Sequence, residues 1–159
     1  MSRSAKQSTA AAEAQLRGFI AKFEPAHQTL IRAVRRRLRK RFPTATELAY
    51  DNYNFFVIGY SPTGRPSDAI VSITAGASGV GLCFIHGARL PDPRGVLLGS
   101  GSQTRFIRLP DAAVLERPEM SALFDAAVAN AKAFPATGRG QLVIKSISAK
   151  QRPRRRVPT

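Results

Sequence analysis

The stretch of this chain richest in usable chemistry runs from Leu97 to Leu109 and reads Leu-Leu-Gly-Ser-Gly-Ser-Gln-Thr-Arg-Phe-Ile-Arg-Leu. Ser100, Gly101, Ser102 and Gln103 leave backbone N–H groups free to point at an anion, and Arg105 can close over it. The residues that follow alternate as a strand. Arg105 then shares a face with Ile107, and Phe106 with Arg108, so one of the two arginines lies toward the core. No helix follows the loop, which excludes a phosphate site of the helix N-terminus type. The competing reading is a plain connector.

A second cluster is Tyr50-Asp51-Asn52-Tyr53-Asn54. Tyr50, Tyr53 and Asn54 could orient a ligand while Asp51 accepts its hydrogen bonds; the alternative is a strand end with Asx-type bonding. Joined to Ser100, Gly101, Gln103 and Arg105, these residues form the expected ligand surface. The two histidines, His27 and His86, offer little. His27 opens a basic helix and reads as a surface residue. His86 lies three residues beyond Cys83, which on a strand sends the two side chains to opposite faces and disfavours a shared metal site or a Cys–His nucleophile. The single cysteine excludes an internal disulfide framework and reads as a buried, inert thiol. Zinc spacings, HExxH, Walker, GxGxxG and GxSxG motifs are absent, so no catalytic residue, metal ligand or cofactor is assigned.

From about Gln15 to Phe134 the chain resembles the YdhG-like family, a domain of unknown function. The resemblance is carried by Tyr50–Asn54, by Gly59-Tyr60-Ser61-Pro62 with Arg65-Pro66-Ser67-Asp68-Ala69-Ile70-Val71-Ser72-Ile73, by Leu90-Pro91-Asp92-Pro93, and by the Gly99-Ser100-Gly101 loop ending in Arg105–Leu109. It implies an α+β fold and no established reaction. Relatives often carry Lys where this chain has Ser102 and His where it has Phe106, so an anion cradle or acid–base site would lack those groups here. Some members of the wider family are described as frataxin-like iron chaperones. Iron prefers hard oxygen ligands, and the ten Asp and Glu of this chain are spread singly along it.

Charge adds a third line. The net charge is +15, but residues 1–42 carry +9 of it and residues 141–159 carry +6, leaving the middle near neutral. The basic ends define an alternative function: weak, sequence-independent nucleic-acid binding through Arg35, Arg36, Arg39 and Lys40 on a helix and Arg154, Arg155 and Arg156 in the tail. Partners are thus an anionic ligand or nucleic acid, with no membrane, since no apolar run approaches the roughly 20 residues a bilayer needs. The polar N-terminus and single cysteine point to a cytoplasmic location.

These residues must be positioned by a short list of elements. Residues 1–10 read as a disordered leader, 11–148 as one domain and 149–159 as a disordered basic tail. Helices are expected over about Ala11–Phe23, Pro25–Arg41 and Pro118–Phe134, each with apolar residues at helical spacing. Strands are expected near Glu47–Tyr53, Asn54–Tyr60, Ala69–Thr74, Val80–His86, Arg105–Leu109 and, as an edge, Gln141–Ile147. The predicted class is α+β: an antiparallel sheet of four to six strands with helices on one face. The reading that follows is a small binding domain without evident catalytic machinery.

Overall fold

The computed structural model describes residues 7–157. Three helices, α1 (Thr9–Ile20), α2 (Pro25–Arg41) and α3 (Pro118–Ala129), accompany six strands: β1 (Thr46–Asp51), β2 (Phe56–Ser61), β3 (Val71–Gly76), β4 (Gly79–Phe84), β5 (Arg105–Arg108) and β6 (Leu142–Ile147). The first helix starts inside the expected leader because Ser8 caps it, its hydroxyl accepting from the Ala11 N–H at 3.1 Å. Residues 1–6 of that leader lie outside the described residues. Pro25 opens α2 at a position where a missing N–H costs nothing, and Arg39, Lys40 and Arg41 fill its last turn.

The strand order is β5-β4-β3-β2-β1-β6. Five strands form the expected antiparallel meander, but β6 runs parallel to β1, so the sheet is mixed and open rather than antiparallel throughout. The cause is the return path. The chain leaves β5 at one edge, crosses the sheet through α3 and enters the opposite edge in the direction of β1. Gly140 makes this landing possible: its N–H bonds the Pro43 carbonyl at 3.0 Å, and a Cβ there would lie 1.6 Å from the Ala45 oxygen.

Cross-strand register sorts the sheet into two faces. Phe56, Ala75 and Val80 share one row; Ile58, Ile73, Leu82 and Ile107 share the next; Tyr60, Val71 and Phe84 share a third. All of these are buried and face the helices. Two aromatic groups fasten the layers. Phe19 and Phe23 lean on Phe56 with centroids 6.1 and 5.9 Å away, and Phe124 of α3 packs between Phe42 and Phe84 at 5.8 and 5.5 Å. Each such pair adds about 0.5–1.5 kcal/mol beyond its buried area.

The segment expected to be a disordered basic tail is held against the body as far as Arg155. The Arg152 N–H bonds the Tyr53 carbonyl at 2.8 Å, the Gln151 amide donates to the Asp51 carbonyl at 2.8 Å, and the Arg154 side chain is buried. Charge repulsion in a free tail is here outweighed by a buried carboxylate that the tail reaches.

Candidate functional site

Two of the anticipated sites become internal structure, and two recesses that the sequence did not mark emerge. Asp51 is fully buried on the helix-facing side of β1. Its carboxylate accepts from Lys22 and from Arg154, the latter at 2.9 Å, and Arg154 also bonds the Asn52 carbonyl at 2.7 Å. Burial raises the Asp51 pKa, and hydrogen bonds from Lys22, Arg154 and Gln151 overcome that and hold it below the usual carboxylate range. With no exposed surface and each oxygen already bonded to a cation, the carboxylate is closed to a ligand, which corrects the reading of Asp51 as a ligand contact. Tyr50, one residue earlier, points to the opposite face and is half-buried; Tyr53 and Asn54 are exposed, with the Arg152 guanidinium 5.7 Å from the Tyr53 ring centre.

The glycine loop is not a cradle either. Ser100, Gly101 and Gln103 are exposed, and Arg105 turns back to donate to the Gly101 and Thr104 carbonyls at 2.6 and 2.9 Å. The loop carbonyls hold its own arginine, so Arg105 is not poised over an anion as expected. Nor can it meet Asp51: β5 and β1 are four strand steps apart, about 19 Å at the usual spacing. The proposed joint surface therefore divides into two separate regions.

The basic residues divide as well. Arg35 is enclosed, donating to Glu13 at 3.0 and 2.7 Å and to Glu47 at 3.0 and 2.8 Å. Burial works against its charge, but the two carboxylates prevail and raise its pKa above the ordinary value. Arg35 and Arg154 are thus structural cations, unavailable to phosphates. Arg36, Arg39 and Lys40 are exposed, as are Arg155, which donates to the Lys22 carbonyl, and Arg156. Among the described residues no group of three or more His, Cys, Asp or Glu is arranged to hold a metal ion, and no helix is long and apolar enough to cross a membrane.

The face of the sheet turned away from the helices carries a trough of about 570 Å³. Its floor follows from the register: Cys83 stands beside Phe106 in one row, Thr74 beside Gly81 and Arg108 in the next, and Gly76 beside Gly79 at the end, where Ser78 turns the chain. These small residues leave the adjacent strands β3 and β4 nearly bare there. A Cβ at Gly81 would sit tightly, 3.0 Å from the Ile107 carbonyl oxygen. The walls are Phe55, half exposed, on one side and Phe106 with Arg108 on the other, the Arg108 guanidinium 5.8 Å from the Phe106 ring centre. Arg108 is exposed and has no carboxylate partner among the described residues. Burial pushes the Cys83 thiol up, with the Thr74 hydroxyl pulling the other way, so the thiol is neutral at physiological pH.

A sequence signal for this trough existed in the alternation of Gly79, Gly81 and Cys83 against Val80, Leu82 and Phe84. One face of β4 is large and apolar, and the other lacks side chains to cover it. The Arg105–Leu109 motif also contributes, but through Phe106 and Arg108 and not through Arg105. Compared with known protein families, curated proteins and solved structures, the chain has no match.

Proposed function

We propose that this chain is a binding domain of YdhG-like type that takes a flat, apolar ligand with an acidic group on the uncovered face of its sheet. One observation carries the reading: a trough floored by glycine, serine, threonine and cysteine, walled by Phe55 and Phe106, with the unpaired Arg108 at its rim. A floor without large side chains, two strands or about 10 Å wide, admits a ring lying flat against backbone. The aromatic walls supply edge and stacking contacts, and Arg108 supplies a planar fork for a carboxylate or sulfonate.

Titration with anilinonaphthalene sulfonate, an aromatic anion, tests this. Saturable one-to-one binding is expected, weakened about tenfold in Arg108→Ala, the effect of one charge-assisted hydrogen bond, and abolished in Cys83→Phe, which fills the trough. Bound probe should also slow alkylation of Cys83. Undiminished binding in a folded Cys83→Phe variant would refute the site.

A second reading has its own observation. Arg32, Arg36, Arg39 and Lys40 form an exposed stripe on α2, at the spacing that keeps residues on one helical face. Such a stripe suits weak polyanion binding, with retention on immobilised nucleic acid that falls steeply with salt. Charge reversal at Arg36 and Lys40 should remove that retention. Arg155 and Arg156 lie about 20 Å back along α2 and would add little to the same contact.

A further inference from the structure

On the helix side of the sheet, between the end of α3 and the turns at Pro66–Asp68 and Gly87–Arg89, lies a cleft of about 450 Å³. Its back wall is apolar and buried, formed by Ile70, Phe84 and Ala127. Its rim is polar and exposed, with His86 and Arg89 from the Gly87–Arg89 turn converging on Asn130 and Lys132 from the end of α3.

The charges at the rim do not balance. Asp68 is the one carboxylate lining the cleft. It is occupied, accepting from the Thr63 hydroxyl at 2.7 Å and lying 3.5 Å from the Lys132 ammonium. These contacts, the Thr63 hydrogen bond foremost, hold its pKa below the usual range. Arg89 has no carboxylate partner among the described residues, so the rim keeps one uncompensated positive charge. The backbone that presents Arg89 is rigidly placed. Gly87 packs so closely on Arg105 that a Cβ would come within 2.6 Å of that residue's Cβ, and the turn closes through Arg89 N–H to His86 O at 3.1 Å and Leu90 N–H to Gly87 O at 3.0 Å.

We infer that this cleft is a second ligand site, distinct from the trough, for a small organic anion: a carboxylate or phosphate head held at the rim by Arg89 and Lys132, with an apolar body against Ile70, Phe84 and Ala127. Two positive donors above an apolar pocket are the complement of such an amphiphile. A purely polar anion would leave the back wall wet, and an uncharged hydrophobe would leave the rim charge unanswered. Asn130 adds an amide at the same rim for the remaining oxygen.

Phenyl phosphate and benzoate are the two probes, with benzyl alcohol as the uncharged control. Backbone amide NMR of the full chain should show saturable shifts at Arg89, Asn130 and Lys132 and at the His86 ring for at least one anion, and none for the alcohol. The preferred anion identifies the head group. Arg89→Ala should weaken binding about tenfold, Lys132→Ala should weaken it less because that ammonium is already shared with Asp68, and Arg108→Ala should leave these shifts unchanged. Both alanine positions are exposed, so an unchanged amide spectrum away from the cleft verifies the fold. Absence of shifts with both anions, or shifts insensitive to Arg89→Ala, would overturn the inference. Shifts confined to Phe106 and Cys83 would instead support the trough alone.

Discussion

Glu47 and Asp51 stand four residues apart on the same side of β1, equally hidden from water, and they do different work. Glu47 accepts from Arg35 of α2 and from the Tyr60 hydroxyl at 2.7 Å, and Arg35 carries the connection on to Glu13 of α1. Its partners all lie within the first 60 residues and belong to the layers that make the core. Asp51 accepts from Lys22, just past α1, and from Arg154, more than a hundred residues downstream. The first carboxylate welds helices to sheet; the second fastens a strap across the outside of the same junction. The difference lies in what the partner cation can do once released. Arg35, on a packed helix, has nowhere to go, whereas Arg154 can leave with its tail.

Removing each carboxylate separates the two roles. Glu47→Ala leaves the Tyr60 hydroxyl unpaired in the core and Arg35 held by Glu13 alone, and loss of one partner of a buried pair costs about 3–5 kcal/mol. Urea denaturation should show that loss with one cooperative transition. Asp51→Ala should cost less, about 1–3 kcal/mol, because Lys22 is already part-exposed and Arg154 can regain water. Its mark is local: trypsin should cut at Lys150, Arg154 or Arg155 well before the body unfolds. Early tail cleavage in Glu47→Ala at matched residual stability, or its absence in Asp51→Ala, would erase the distinction.

Acid offers a gentler probe of the same pair. The folded-state pKa values of Asp51 and Glu13 lie below their ordinary 3.8 and 4.5, Asp51 because Lys22, Arg154 and Gln151 outweigh its burial and Glu13 chiefly because of its hydrogen bond to Arg35. A depressed folded pKa means the unfolded chain binds more protons. The stabilisation is therefore complete above about pH 5 and is lost as the pH falls through the folded values. Asp51→Asn should flatten that acid limb, as should Glu13→Gln, with loss of amide-exchange protection at Arg152 setting in at higher pH than global unfolding in the parent chain.

Most elements were legible in the sequence because their signals are local. The Pro25–Arg41 helix matches its expected limits, with proline at each boundary and apolar residues at 31, 34 and 38 on one face. The meander was legible from alternation and turn residues. The parallel edge was not, because the direction of β6 depends on where α3 releases the chain, a long-range matter. The Asp51 reading failed for a similar reason. A carboxylate among Tyr and Asn residues looks the same whether its partner is a ligand or Arg154, and only the fold brings position 154 to position 51. The arginines of α2 show the same limit: Arg35 and Arg36 are adjacent in a basic run, yet one is enclosed between two glutamates and the other faces water. The cleft at Arg89 and Lys132 left no local trace, since its rim comes from segments far apart in the chain.

The smallest expected effect comes from an ion pair that is as short but far less buried. Arg37 Nε lies 2.7 Å from Glu116 Oε1, as close as Arg35 comes to Glu13, but the two side chains are 37% and 64% exposed. If burial and not length sets the value of the β1 networks, a double-mutant cycle on Arg37→Ala and Glu116→Ala should give a coupling of about 0–1 kcal/mol that fades with added salt. The corresponding cycle on Arg35 and Glu47 should give several times that and barely respond to salt. Equal couplings would mean that β1 gains nothing from enclosing its carboxylates. The contrast between a welded core and a strapped tail would then rest on apolar packing, with Phe19, Phe23 and Phe56 as the residues to vary next.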